Sequence, residues 1–482
     1  MLFNSIQFVV FFILTTLLYY ALPWRWRWKM LLVASCCFYM AFIPAYIVIL
    51  FATIIIDYCM ALLIAGSGGQ RRKFYLIASI VSTCAVLFVF KYSAFFGMSV
   101  REIQGMLGAA QDYPVTHLIL PIGLSFHTFQ SLSYVIEVYR GKQRPERNLG
   151  IYSLYVMFYP QLVAGPIERP QNLLHQFYED HRFDLQNLSR GMLQITWGMF
   201  QKVVIADRCA VFVKNVYGNW EHQPGLALLT ATLLFAVQIY CDFAGYSCIA
   251  IGCARVLGFE LMTNFRHPYF SSSFSEFWQR WHISLSTWFR DYVYIPLGGN
   301  RVSVPMIYAN LLITFAISGL WHGANWTFVV WGVYNGVLLI VERALTKWGG
   351  RYPRNLAGTV MRRTVVIGAT CLGWVFFRAQ SLHAALSILH KIFTQTSLSK
   401  ASIEMSILPF DNNRTSITTA CSTILLIGVM LLVEVAAETG FRNLQASFRA
   451  SRRLQFAGTL LLFEITMLFG VLRSSAFIYF QF

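Results

Sequence analysis

Long apolar runs separated by short polar gaps recur along the whole chain. A helix that spans a bilayer needs about 20 mostly apolar residues, and residues 4–22 and 74–97 each meet that length. Residues 30–65 are too long for one span and carry Pro44, which predicts two helices that meet near Ile43-Pro44. Further apolar runs are 115–138, 305–320, 326–345, 361–379, 414–436 and 455–475. The pattern predicts an all-α integral membrane protein with about 11 spans.

The middle of the chain follows this pattern less regularly. Residues 150–165 are broken by proline and glycine, and the runs 191–217 and 225–257 carry Lys202, Asp207 and Asp242. Broken apolar segments are tolerated at membrane depth only where protein or a water-filled cavity lines them. We therefore predict re-entrant or interfacial helices around a central polar cavity between about 150 and 300, and a further interfacial segment at 381–413.

We find no internal repeat or linker, which favours one integral domain. Within it we distinguish N-terminal spans in 1–147, a core of broken helices in 150–345 and C-terminal spans in 346–482.

Composition excludes an ordinary soluble enzyme. The chain is 57% hydrophobic and only 12% charged, whereas soluble domains carry about 25% charged residues. Lys and Arg outnumber Asp and Glu by 38 to 21. Because the basic residues fall between apolar runs, they indicate positive-inside topology and contact with anionic lipid, and no motif points to nucleic acid.

The basic clusters also predict topology. The first apolar run lacks a basic segment before it, which favours a retained first span with the N-terminus outside. Counting crossings then places the basic clusters 24–29, 71–73 and 140–147 on the inside. Basic residues in 442–453 indicate the inside again, so the C-terminus is expected outside.

The cysteines and the common site motifs exclude several chemistries. The ten cysteines lie in or beside apolar stretches, with no C-x-x-C and no Cys/His spacing typical of zinc. The sequence lacks a P-loop, a G-x-S-x-G and an H-E-x-x-H motif. We therefore predict no bound metal and no bound cofactor.

Two Trp-His pairs, Trp281-His282 and Trp321-His322, are the strongest candidate chemistry. An imidazole in an apolar, Trp-rich membrane segment is a functional-site hypothesis by default. Spacing of three and four residues predicts one amphipathic helix over 274–291, begun by a capping box at Ser273 and Glu276, with His282 on its aromatic face. Alternatively, His282 is a core histidine bonded to a backbone carbonyl.

Glycines surround the second histidine, as Gly319-Leu-Trp-His-Gly323. Such spacing permits close helix packing, and it also leaves room for a substrate atom beside His322. Residues 121–127 and 165–169 also interrupt apolar runs. They are either helix breaks or parts of the central polar cavity. Asp242 lies mid-run, where an unpaired charge is costly, so we expect it to be paired, by a histidine or an arginine. We expect the substrate-binding residues to be Asp242, Trp278, Arg290, Trp321 and Asn325.

At these residues the chain resembles the membrane-bound O-acyltransferase family, and within it the bacterial branch that resembles alginate O-acetyltransferase. The main resemblance is carried by FWQRWHISLSTWFRDYVYIPLGGNR at 277–301 and GLWHGANWTFVVWG at 319–332. Supporting matches lie at 120–141, 163–169 and 242–247 and in the ending FIYFQF. Cys248 departs from these relatives, which often have an acidic residue there, and this leaves the substrate open.

The resemblance implies a ring of helices around a thinned centre, with a tunnel that joins the two faces. It implies that His322 is the catalytic base and that His282 is the second family histidine, on the donor side. It also implies transfer of an acetyl group from a cytosolic donor, acetyl-CoA, across the bacterial inner membrane. Extracytoplasmic acetyltransferase partners would then pass the acetyl group to an exported polysaccharide.

The residue types suit that chemistry. A hydroxyl needs a positioned base to attack a thioester, and a neutral imidazole provides one. Asn325 or a backbone N–H near Gly323 would stabilise the oxyanion, and Arg280, Arg290 and Arg301 would attract coenzyme A phosphates. Two alternatives remain from the residues: a transporter or flippase with a His/Asp proton pathway, and a scaffold for polysaccharide export.

Overall fold

A computed structural model describes residues 1–108, 118–163, 165–347, 355–407, 416–439, 448, 450–471 and 477–478. All regular elements in these ranges are helices, which confirms the all-α class. Some residues that entered the predictions lie outside the described ranges: 115–117, 164, 408–415, 442–447, 449, 472–475 and 479–482.

Seven helices in the described part of the chain are long and apolar enough to cross a membrane. They are Tyr46–Gly66, Gly69–Met106, Gly225–Val256, Val304–His322, Trp326–Lys347, Leu356–Arg378 and Thr418–Glu438. A shorter apolar helix is Ile6–Ala21. The multi-pass membrane class is confirmed, and the count of about 11 spans stays a prediction.

The described residues form two compact units, and the first comprises Met1–Ile195 with Ser247–Met262. Its helices are α1 Ile6–Ala21, α2 Trp24–Met40, α3 Tyr46–Gly66, α4 Gly69–Leu87, α5 Ser93–Met106, α6 Leu124–Tyr139, α7 Leu149–Met157, α8 Tyr159–Leu162, α9 Pro170–Leu173 and most of α10 Leu185–Met199. The break between α2 and α3 confirms the predicted helix pair at Ile43-Pro44. A π-helical turn, Phe88–Tyr92, joins α4 to α5, so this helix is longer than the predicted run.

Both sequence interruptions in the first unit coincide with breaks between helices. Gly123 has a φ of 79° just before α6 begins, a conformation that glycine adopts without steric cost. Glu168 is fully buried and accepts a hydrogen bond from the Met262 N–H, while its carbonyl accepts one from Tyr155 Oη at 2.9 Å. The structure thus supports the helix-break interpretation at both places.

The second unit comprises Thr196–Tyr246 and Thr263–Phe482. Its helices are α11 Asp207–Gly218, the first part of α12 Gly225–Val256, α13 Phe274–Arg280, α14 Ile283–Phe289, α15 Val304–His322, α16 Trp326–Lys347, α17 Leu356–Arg378, α18 Leu382–Thr394, α19 Lys400–Met405, α20 Ser416–Glu438 and α21 Arg452–Phe469. The predicted three-part division of one domain stays a prediction.

Two helix predictions in the central region are wrong. The run 225–257, expected to be broken, is the single 32-residue helix α12, because its central carboxylate, Asp242, is paired with a lysine and so needs no break in the helix. Conversely, the continuous helix predicted over 274–291 is divided into α13 and α14 at Trp281-His282.

Glycines bring α15 and α16 together. A Cβ added to Gly319 would overlap the Phe328 carbonyl and lie 3.2 Å from the Gly332 Cα. A Cβ added to Gly332 would likewise overlap the Phe315 carbonyl. Close backbone approach of this kind is what small residues permit in membrane helices, and it fixes the direction in which α15 presents its last residue, His322.

Candidate active site

The backbone at His282 is in an unusual conformation. His282 has φ 41° and ψ 56°, in the left-handed region that residues other than glycine rarely adopt. A neighbouring segment holds the chain on both sides of it. The Arg266 N–H donates to the Arg280 carbonyl at 2.9 Å, and the Ile283 N–H donates to the Asn264 carbonyl at 2.8 Å. These bonds divide the predicted helix in two, because they engage backbone groups that a continuous helix would have used.

The start of α13 follows the sequence prediction. Ser273 Oγ accepts a hydrogen bond from the Glu276 N–H at 3.0 Å, which confirms Ser273 as the N-cap. The Glu276 side chain reaches back to the Ser272 N–H at 2.7 Å, one residue before the position that a standard capping box uses.

The three arginines named for phosphate binding have different surroundings. Arg280 is paired with Glu276 at 2.7 Å and Glu438 at 2.8 Å, so its charge is already neutralised. Arg290 is paired with Asp291 at 2.8 Å and its side chain is 59% exposed. Arg301 is exposed. Of the three, Arg290 and Arg301 are therefore accessible to a phosphate.

The His282 imidazole lies among aromatic rings. Only 1% of the residue is exposed, and its ring centroid lies 4.5 Å from that of Phe243 and 6.3 Å from that of Trp321. Burial lowers the pKa of His282 from 6.5 to about 3, because an apolar environment disfavours the charged form. The imidazole is therefore neutral near pH 7.

His322 is the last residue of α15 and is 4% exposed. Its ring centroid lies 4.9 Å from Trp321, 5.0 Å from Trp331 and 5.4 Å from Phe377. The carbonyl groups at a helix C-terminus stabilise positive charge, which is the charge that an imidazole acquires when it accepts a proton. The Trp321 ring lies beside both imidazoles, so the two Trp-His pairs do converge on one region of the second unit.

The glycines around His322 serve packing. A Cβ on Gly323 would overlap the Phe328 ring, and one on Gly319 would overlap the α16 backbone. The space beside these glycines is thus occupied by protein, and the structure supports helix packing over the expected room for a substrate atom.

Further aromatic residues complete the surroundings. Trp278 lies 5.9 Å from Trp331, and Trp374 stacks on Trp331 at 5.7 Å and lies 5.1 Å from Trp281. Trp374 and Phe377, on α17, were missed from the sequence. Their only signal was a cluster of aromatic residues at the end of an apolar run, which is more often ordinary core.

The Asn325 side chain caps the start of α16 and is not free to bind substrate. Its Oδ1 accepts a hydrogen bond from the Thr327 N–H at 3.0 Å, and its Nδ2 donates to the Gln380 carbonyl at 3.2 Å. An Asn at this position caps the helix start. The amide that was expected to stabilise an oxyanion is therefore bonded to the protein.

Asp242 is paired, as expected, although its partner is a lysine instead of a histidine or an arginine. Lys202 Nζ lies 2.6 Å from Asp242 Oδ1 and 2.8 Å from Asp207 Oδ1, and all three side chains are buried. Asp242 Oδ2 also accepts a hydrogen bond from the Ile478 N–H at 2.7 Å. Because both oxygens are engaged, Asp242 anchors the stretch of α12 whose next residue, Phe243, contacts His282.

The chain is similar to one protein family and to several known proteins. Residues 148–372 match the model of the membrane-bound O-acyltransferase family. The chain is 39% identical to a probable alginate O-acetylase of Azotobacter vinelandii over 412 residues, which is 84% of this chain and 81% of that protein. It is 39% identical to the Pseudomonas aeruginosa protein of the same name over 398 residues, or 82% and 75% of the two chains. A peptidoglycan O-acetyltransferase of Helicobacter pylori is 32% identical over 386 residues, or 74% and 72%.

Proposed function

Because the chain belongs to the membrane-bound O-acyltransferase family and is thus a multi-pass membrane acyltransferase, we propose that it carries out polysaccharide O-acetylation. The acetyl group comes from a cytosolic donor, acetyl-CoA, and crosses the bacterial inner membrane. Membership of this family favours an enzyme over the transporter and scaffold alternatives. The observation that carries the proposal is the convergence of His282 and His322 on the Trp321 ring.

In this proposal His322 is the general base. The acceptor hydroxyl oxygen bonds to the thioester carbonyl carbon, the carbon–sulfur bond breaks, and the hydroxyl proton passes through His322 to the departing thiolate. General-base assistance contributes about 10²–10⁴-fold to the rate. The burial of the imidazole supports this role, since a low-dielectric surrounding strengthens each electrostatic interaction that forms during the reaction.

His282 is assigned to the donor side. A neutral imidazole offers one N–H donor and one acceptor, which suits binding of a thioester or an acceptor hydroxyl without an added charge. The aromatic rings around it, with Trp278 and Trp321, would contact the acyl group, and Arg290 would meet phosphate at the cytosolic face. Asp242 and Asn325 would support the site through the protein contacts described above.

The reaction would continue outside the membrane. Extracytoplasmic acetyltransferase partners receive the acetyl group and pass it to the polymer, as the resemblance implies. The names of the relatives include alginate and peptidoglycan enzymes, which supports an exported glycan as the polymer. An even number of spans close to the predicted count of about 11, with both termini in the periplasm, would fit that route.

The test is ester-bound acetate on surface polysaccharide, measured by mass analysis in cells that lack the gene and express each variant. We expect His322→Ala to insert normally and to reduce acetylation by at least about 10²-fold, to the level of cells without the protein. His390→Ala, at an exposed position on α18, is the matched control and should retain wild-type acetylation. Wild-type acetylation with His322→Ala would exclude His322 as the base.

A further inference from the structure

The backbone of His282 is held in a strained, left-handed conformation. Among the described residues, only His267 and His282 combine a side chain with a positive φ. The left-handed conformation is unfavourable for an L residue other than glycine, and it persists only where the surroundings impose it. Some part of the protein must therefore hold His282 in this conformation.

Asn264 makes the bonds that do so. It is fully buried, and its backbone carbonyl accepts from the Ile283 N–H at 2.8 Å. Its side-chain Oδ1 accepts from Ser284 Oγ at 2.7 Å and from the Ser284 N–H at 3.3 Å. All three bonds go to the two residues that follow His282.

These bonds replace a missing helix cap. The first N–H groups of a helix lack partners within it and are usually satisfied by the side chain of the N-cap residue. The N-cap of α14 is His282, and its side chain makes no such bond. Asn264 supplies the acceptor from another part of the chain, which leaves the imidazole directed elsewhere.

The residue after Asn264 contacts the imidazole itself. The Phe265 ring lies parallel to the His282 ring within 17°, at a centroid distance of 6.4 Å, and meets Trp281 edge-on at 5.1 Å. The Arg266 N–H also donates to the Arg280 carbonyl. Residues 264–266 therefore contact the His282 ring and the backbone on both sides of His282.

The local sequence favours a different conformation. Aromatic residues recur at helical spacing through 274–291, a pattern that predicts one continuous helix. If His282 adopted right-handed angles, α13 would continue into α14 and the imidazole would point in another direction. Asn264 opposes that local preference.

We propose that Asn264 is the positioning residue for His282, and that it fixes the turn which directs the imidazole toward Trp321. The proposal rests on the function proposed for this site. Asn264 acts only through His282 and makes no contact with substrate.

The variants are Asn264→Ala, which removes the side-chain acceptor, and Asn264→Asp, which keeps Oδ1. The matched control is Asn310→Ala, which removes another buried amide of the same unit, one that donates to the Leu297 carbonyl at 3.0 Å. In purified protein we expect Asn264→Ala to lower kcat by about 10²-fold, the effect of a misplacement near 1 Å, with little change in KM for the acyl donor. Asn264→Asp should recover part of the loss, and Asn310→Ala should retain wild-type kcat.

A double variant separates positioning from general damage. If Asn264 acts only through His282, adding Asn264→Ala to His282→Asn should cause no further loss of kcat. Additive losses, or equal kcat for Asn264→Ala and Asn310→Ala, would overturn the proposal.

A second readout does not depend on activity. Diethyl pyrocarbonate modifies accessible imidazoles, and peptide mass analysis reports the rate at His282. We expect this rate to rise several-fold in Asn264→Ala and to stay unchanged in Asn310→Ala. An unchanged rate in Asn264→Ala would overturn the positioning role, whereas a wild-type protein that transfers no acyl group would overturn the proposed function alone.

Discussion

At the scale of single residues, burial decides the charge of the candidate catalytic groups. His282 is enclosed by aromatic rings, and its lowered pKa keeps the imidazole neutral. The cost of that burial appears as a pH dependence of stability. The folded state binds a proton on His282 only near pH 3, whereas an unfolded chain binds it near pH 6.5. The contribution of His282 to the free energy of unfolding is therefore complete above pH 6.5 and falls as the pH is lowered.

This predicts a measurable difference between the wild type and His282→Asn. An Asn tolerates the left-handed conformation and does not titrate. Between pH 7.5 and 5, the wild type should lose about 2 kcal/mol more of its unfolding free energy than the variant. Thermal melting in detergent at the two pH values measures this, and equal losses in both proteins would contradict the burial of a neutral imidazole.

The sequence identified both Trp-His pairs but not their supporting residues. Tryptophan beside histidine in an apolar run is a local signal. Lys202 and Asn264 are important through contacts with residues distant in the chain, and neither stands in a pattern that reveals its partner. Sequence spacing also left open both helix packing and room for a substrate atom beside His322, because it does not indicate that the Phe328 ring fills the space beside Gly323.

At the scale of elements, ion pairing decides where a helix can continue. α12 runs through Asp242 because Lys202 neutralises that carboxylate, and Asp207 shares the same ammonium group. Three charged residues thus lie buried in one cluster. Removing one partner of a buried ion pair costs about 3–5 kcal/mol, because the remaining charge is left uncompensated.

Lys202→Met should therefore destabilise the protein by about that amount, seen as a lower melting temperature in detergent. Lys214→Met, at an exposed position on α11, is the matched control and should have little effect. Adding Asp207→Asn and Asp242→Asn to Lys202→Met should restore part of the stability. A melting temperature of Lys202→Met equal to that of Lys214→Met would show that the cluster does not stabilise the fold.

Most helices were predictable because apolar length and proline positions are local properties. The break between α2 and α3 and the short helices near Pro160 followed from the sequence for that reason. The division at His282 could not be predicted, since the local pattern favours a continuous helix and hydrogen bonds from residues 264–266 overrule it.

At the scale of the whole molecule, basic clusters indicate orientation. With the N-terminus outside, residues 24–29, 71–73 and 140–147 fall on the cytosolic side, where basic residues are enriched. Because α4 and α5 form one continuous helix, α1 to α6 would supply the five crossings that this orientation needs, and the orientation itself stays a prediction. The cytosolic donor and the external acceptor of the proposed reaction depend on it.

Cysteines introduced one at a time test this topology. They are placed in a variant in which alanine replaces the exposed cysteines Cys37, Cys59, Cys84 and Cys421. Cysteines at exposed Gly68 and Lys142 should react with a membrane-impermeant maleimide only after the cells are permeabilised. A cysteine at Gly108, before α6, should react in intact spheroplasts. Reaction at position 68 or 142 without permeabilisation would contradict the predicted orientation.

The central claim is that His322 accepts the proton while an acyl group is transferred. Purified protein in liposomes, with radiolabelled acetyl-CoA at its cytosolic face, tests this most directly through ester formation on a hydroxyl acceptor at the other face. We expect transfer by the wild type, transfer by His390→Ala, and a loss of at least about 10²-fold with His322→Ala in protein of unchanged melting temperature. Wild-type rates with His322→Ala would contradict the account.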